Sequence, residues 1–227
     1  MRKFWGLYKN DKYIVGCNGA TVYVYDTDWK ELAKFNDFPY AYNGAFKPGS
    51  NVIAVKSTEG YLGFYDLDTL TLIKKIVVTR IGAQDEGFAF SKDGRLFYNI
   101  EKPVYSTRTQ LGIYETTTYS KIQTLFEYDI KMVLKDLEFD SETDCCYVYG
   151  FLRNDEGVYE NGFVAVFKQD KQSIENIKHI SKADYDYLFA YKHWENSGFS
   201  EKACWSELKE QNPIRKISIK ELYMKYD

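Results

Sequence analysis

The segment VYVYDTDWKELAKF (22–35) returns three times along the chain, as LGFYDLDTLTLIKKI (62–76), LGIYETTTYSKIQTL (111–125) and FVAVFKQDKQSIENI (163–177). In each copy an alternating run closes on an aromatic residue, Tyr25, Tyr65, Tyr114 or Phe167. A polar break follows, and a second run ends on Phe35, Ile76, Leu125 or Ile177. Alternation at period two around a short polar turn is the sequence form of a β-hairpin. A second hairpin precedes each copy. AFKPGSNVIAV (45–55) turns at Pro48-Gly49 and FAFSKDGRLFY (88–98) at Asp93-Gly94, where Gly supplies a positive φ without steric cost. LYKNDKYIV (7–15) and LEFDSETDCCYVY (137–149) are looser versions.

Every unit therefore reads as strand, turn, strand, loop, strand, turn, strand. The aromatic anchors recur at intervals of 40, 49 and 53 residues, the length of a propeller blade. The expected fold is all-β, a small β-propeller in one domain (1–227), with four-stranded units at 3–36, 43–78, 86–127 and 135–180. A twisted β-sandwich of repeated hairpins is the alternative. FSKDGRLF (90–97) and the closures YVYD (23–26) and GFYDL (63–67) resemble the blades of WD-repeat propellers over about residues 3–180. The chain lacks that family's Gly-His pair and Trp-Asp dipeptide, so the resemblance does not carry over the internal hydrogen-bond network that those residues build.

Past Ser181 the repeat weakens. ADYDYLFAYKHW (183–194) reads as one more strand, whereas SEKACWSELKEQN (200–212) is rich in helix formers. Ser218 and Glu221 form a capping box, with Ile217 and Leu222 placed as a hydrophobic staple, but alternation there also fits a final strand pair. Residues 181–227 are thus a degenerate fifth blade or a helical C-terminal segment. The fifth blade is favoured, because an open ring leaves two sheet edges exposed.

Aromatic residues make up 18% of the chain, which suits pleated half-buried surfaces. A net charge of −3 lacks the basic footprint of a nucleic-acid binder. No apolar run reaches the roughly 18 residues of a membrane span, nor does the start read as a signal peptide. A cytoplasmic protein is expected, with Cys17, Cys145, Cys146 and Cys204 reduced. Adjacent Cys145 and Cys146 on one strand point to opposite faces, and with two histidines in the chain no metal site or cofactor is expected.

In a blade, the first-to-second and third-to-fourth turns lie on one face, while the second-to-third loops and the connections between blades lie on the other. Here the second face is the generous one, with NDFPYAYNG (36–44), EKPVYSTRTQ (101–110) and FLRNDEGVYENG (151–162). Long loops on a rigid scaffold carry binding. Phe38, Tyr40, Tyr42, Tyr105, Arg108, Arg153, Asp155, Glu156, Tyr159 and Glu160 are the candidate partner contacts, Tyr and Arg being favoured at hot spots. Between Asp136 and Glu160 carboxylates crowd around Arg153 alone, either as a solvated face or as a dock for a basic partner. No nucleophile, zinc, phosphate-loop or dinucleotide motif is present, so no catalytic residue is assigned.

The function expected is therefore a non-enzymatic module that docks a protein on its loop-rich face. One concrete form is a bacterial immunity-type inhibitor of a basic nuclease toxin. A carbohydrate-binding propeller is the alternative from another class, and a glycoside-hydrolase-type enzyme a more distant one.

Overall fold

The computed structural model describes residues 4–79, 86–103, 108–127, 129, 131–140, 142–168, 173–197 and 217–226, with the backbone alone for 191–197. Four antiparallel sheets, each of four strands in sequence order, follow one another along the chain, as the four repeats predict. The first is β1 (Gly6–Lys9), β2 (Tyr13–Cys17), β3 (Val22–Asp26) and β4 (Glu31–Phe35). The second is β5 (Ala41–Phe46), β6 (Val52–Ser57), β7 (Tyr61–Asp66) and β8 (Thr71–Val77). The third is β9 (Phe88–Phe90), β10 (Leu96–Glu101), β11 (Gln110–Glu115) and β12 (Lys121–Leu125). The fourth is β13 (Met132–Phe139), β14 (Cys145–Arg153), β15 (Tyr159–Lys168) and β16 (Ser173–Ile180). Two helices follow, α1 (Lys182–Ser197) and α2 (Ile219–Lys225). No helix among the described residues is long and apolar enough to cross a membrane.

The opening repeat is the β3–β4 hairpin and its three counterparts. In every copy the outer strand slips by one residue beside the aromatic anchor, so that Leu32, Ile73, Ile122 and Glu175 are the extra residues. Such a bulge bends the strand and spoils it as a template for further pairing. Leu32 is exposed, whereas Phe35 stacks on Tyr65 with centroids 4.5 Å apart. Two residues before the anchor's partner, Trp29, Leu70 and Tyr119 take left-handed φ values of 64°, 55° and 55°. The Asp26 carboxylate holds its turn by accepting the Asp28 and Lys30 amides, and Asp66 does the same for Asp68 and Thr69. Gly49 and Gly94 take φ of +68° and +69° at their turns, as their sequence context predicts.

The sheets group into two compact units, the first built on the first two sheets and the second on the last two with most of the helical segment. Within the first unit, Val15, Cys17, Val22 and Val24 meet Ile53, Val55, Tyr65 and Leu67 in one core. Within the second, Tyr98, Ile100, Leu111 and Ile113 meet Cys146, Val148, Phe163, Ala165 and Phe167 in another. The fourth sheet is apolar on both faces. Tyr147, Tyr149, Val164 and Val166 point away from that core and are covered by Tyr185 and Leu188 of α1 and Ile219 and Leu222 of α2. Cys145 and Cys146 lie on these opposite faces, as the pleat requires.

Where the sequence favours a fifth blade, the described residues past Ser181 are helical. ADYDYLFAYKHW forms α1, because the Ser181 hydroxyl caps it at the Asp184 amide and Tyr185 and Leu188, three apart, bury together. Helix α2 has its capping box, with Ser218 Oγ accepting the Glu221 amide at 3.0 Å and Glu221 Oε2 accepting the Ser218 amide at 2.9 Å. The helix-rich stretch 200–212 lies outside the described residues.

Lys220 ties α2 to the sheet, its Nζ 2.9 Å from Asp140 and 3.4 Å from Glu142, while Lys225 reaches Asp184 of α1 at 2.7 Å. The Thr143 hydroxyl, then Lys220 and the Glu142 amide, hold the buried Asp140 carboxyl at about 2 against the cost of its burial. A carboxyl whose pKa falls on folding adds stability above its unfolded value, and that stability is lost as pH drops towards 2. Asp140→Asn should therefore flatten the acid side of a stability-versus-pH curve below about pH 4. Leu222→Ala should cost about 2–5 kcal/mol in urea denaturation, because its side chain is fully enclosed between α2 and the sheet.

Candidate functional site

In the first unit the connection from β4 to β5 is fixed at every residue. Asn36 Oδ1 accepts the Thr21 hydroxyl at 2.6 Å. Asp37 Oδ2 accepts the Tyr65 hydroxyl at 3.1 Å, and the Asp37 carbonyl accepts Lys75 Nζ at 2.6 Å. Burial first, and then the Asp37 charge, push the Tyr65 phenol far above its ordinary range, so it stays a donor. Phe38 is 5% exposed, stacked on Tyr61 at 5.9 Å and part of the core. The Pro39 carbonyl accepts the Ser57 hydroxyl at 2.6 Å, and the Tyr40 carbonyl the Thr58 amide at 3.1 Å.

These ties leave Tyr40 itself in solvent, 57% exposed and at a left-handed φ of 53°. Next to it, Ala41 and Gly19 exchange both backbone hydrogen bonds, at 2.9 and 3.0 Å. Trp5 stands beside Gly19, its Nε1 3.6 Å from where a Cβ on that glycine would be, and it is 69% exposed. One residue earlier, Phe4 packs edge-on against Tyr23 and Tyr25 of β3. An exposed Trp and an exposed Tyr thus flank one backbone bridge on rigid supports.

Of the aromatics expected to bind from this connection, Tyr40 alone is presented. Phe38 is a core residue and offers no surface. Tyr42 is the half-buried extra residue of a bulge between β5 and β6, with its hydroxyl turned inward. Trp5 was not singled out from sequence. Its signal is a Trp directly before the first strand's Gly6, where no core alternation calls for one.

In the second unit, FLRNDEGVYENG is not a long loop. Strands β14 and β15 extend through most of it and leave residues 154–158 as the turn. Asn154 Oδ1 accepts the Glu156 and Val158 amides, and Gly157 takes φ +80°. Arg153 and Tyr159 pair across this hairpin. Tyr159 belongs to a run of ring contacts, Phe151 to Tyr159 at 5.1 Å, Tyr159 to Tyr185 at 5.0 Å and Tyr185 to Phe189 at 5.9 Å. Arg108 is exposed just before β11, and Tyr105 lies outside the described residues.

The acidic stretch is largely met in cis. Glu138 accepts the Lys220 amide, and Asp140 and Glu142 hold the Lys220 ammonium. Asp155 pairs with Lys131 at 2.9 Å, and Glu160 accepts from Asn154 at 3.2 Å, which leaves Glu156 exposed at the turn. The part of this stretch between Asp136 and Glu142 is thus a seat for the chain's own helix. Among the described residues no group of three or more His, Cys, Asp or Glu is placed to hold a metal ion.

No family model matches the chain, so the WD-repeat resemblance rests on the blade pattern alone. No curated protein matches it either. Solved structures do, and 1056 chains match. One is the hydrazine synthase of Kuenenia stuttgartiensis, 12% identical with a TM-score of 0.62, the match covering 75% of this chain and 51% of that one. The chain spans about half the length of that protein. The fold is all-β and propeller-like. A scaffold shared so widely does not choose an activity.

The pinned connection gives a direct contrast. Phe38→Ala should lose about 3–5 kcal/mol in chemical denaturation. Tyr40→Gly should stay within about 1 kcal/mol of the parent, since relief at a left-handed φ offsets glycine's greater chain entropy.

Proposed function

We propose that the chain is a non-enzymatic module that docks a protein through the end of its first unit where Trp5 and Tyr40 stand out. The observation that carries this reading is the pinned connection 36–40. Five successive residues are tied down by side-chain bonds, backbone bonds or burial, and the one ring left in solvent is held on a strained backbone. Large exposed aromatics on preorganised supports are what tight protein interfaces use as anchors, because little backbone freedom is lost on binding. An immunity-type inhibitor of a basic nuclease is the concrete form of this reading.

The test is retention of a protein from lysate of the native host on immobilised full-length chain, followed by mass spectrometry. A partner held by the parent chain and released by the double variant Trp5→Ala, Tyr40→Ala, with thermal unfolding unchanged, supports the docking surface. Retention of no protein, or of the same proteins by parent and variant, overturns it. The immunity-type form further predicts that the retained protein is a basic nuclease.

A further inference from the structure

We infer that the second unit carries a separate docking surface, centred on Arg153 at the β14–β15 hairpin, for a protein segment that presents a carboxylate beside a bulky aliphatic side chain. Three cations gather on the ring run described above. The Arg153 guanidinium lies 5.5 Å and Lys135 Nζ 5.8 Å from the Phe151 ring centroid, and Lys182 Nζ lies 4.7 Å from that of Tyr159. Two of them have carboxylates, Lys135 the buried Glu86 at 3.5 Å and Lys182 Asp186 at 2.6 Å. Asp186 also accepts the Tyr159 hydroxyl at 3.3 Å. Arg153 has no carboxylate partner among the described residues, although it is half-buried against an aromatic ring that strips part of its water.

A guanidinium in that position is a poorly hydrated fork with its donors uncommitted to any acid, and a carboxylate is the group that matches it in plane and charge. The apolar part of the surface is equally specific. Val158, the last residue of the hairpin turn, is 55% exposed, and Phe189 is 42% exposed. Exposed Phe189 stacks on buried Tyr185, so it is supported from below. One cation without a carboxylate partner among the described residues, with Val158 on its own hairpin and Phe189 linked to it through the ring run, fits a segment with a carboxylate beside an aliphatic side chain. It does not fit a polyanion such as nucleic acid, because Asp155, Glu156 and Glu160 lie on the same hairpin and would repel a continuous phosphate backbone.

The test uses the full chain and two fluorescein-labelled nonapeptides, one with a single Glu between two leucines in a Gly-Ser background (the acidic peptide) and one with Lys in place of that Glu (the basic peptide), followed by fluorescence anisotropy up to about 1 mM peptide. The acidic peptide should bind, more weakly at higher salt, and the basic peptide at least about tenfold less well. Arg153→Gln should weaken the acidic peptide about tenfold or more, and Arg153→Lys should recover only part of that loss, because a lysine keeps the charge without the fork. Phe189→Ala should weaken it severalfold, while Tyr40→Ala should leave it unchanged. Equal binding of the two peptides, no binding of the acidic one, or an acidic-peptide affinity indifferent to Arg153→Gln in a variant of unchanged melting temperature overturns the inference. Any of these results leaves the Trp5 and Tyr40 surface untouched, since that surface is read out by the host-lysate experiment alone.

Discussion

Everything regular in this molecule depends on the aromatic anchor of each third strand. Tyr25, Tyr65, Tyr114 and Phe167 are all buried, each bringing a large apolar ring into its core. In all four sheets the register shift falls beside the anchor, where the outer strand takes in one extra residue. The turns before the bulge adapt to it with a left-handed residue, at Trp29, Leu70 and Tyr119. Two of the anchors also order polar groups around themselves, since Tyr65 donates to Asp37 and Tyr114 donates at 2.8 Å to the buried Glu101. Glu101 accepts further from Gln110 and Asn99 and pairs with Lys121, so the carboxylate that the tyrosine needs is itself satisfied.

The fourth sheet shows what happens where the repeat ends. Its strands are apolar on both faces, which a β-sheet adopts only when both faces are covered. The chain supplies the second cover from α1 and α2, and binds α2 by two enclosed side chains and by lysines that reach Asp140, Glu142 and Asp184. Apolar burial gives the affinity of this packing, and the charges fix its register.

How much of this is legible in sequence follows from the range of the interactions involved. The hairpins are written locally, in period-two alternation and in turn residues such as Gly49 and Gly94 whose φ no other residue adopts as freely. The capping box at Ser218 is local too. Helix α1 is not, because Tyr185, Tyr187 and Phe189 alternate like a strand, and only the joint burial of Tyr185 and Leu188 decides for a helix. Nor does residue type distinguish Phe38 from Tyr40. Both are aromatic residues in one connection, and their opposite fates are set by Tyr65, Ser57 and Thr58, which come from the following strands. The acidic stretch at 136–144 looks unpaired in sequence because its cation, Lys220, lies some eighty residues downstream.

The rigid connection at 36–40 has a kinetic consequence. A loop that must order itself on contact spends part of its encounters in unproductive shapes, and its association slows accordingly. On the proposed docking reading the backbone that carries Tyr40 is already ordered, so small changes at the surface would act mainly on how long a complex lasts. Variation at residue 40 would then tune residence time on that reading, whereas variation at the buried residue 38 acts on the stability of the unit.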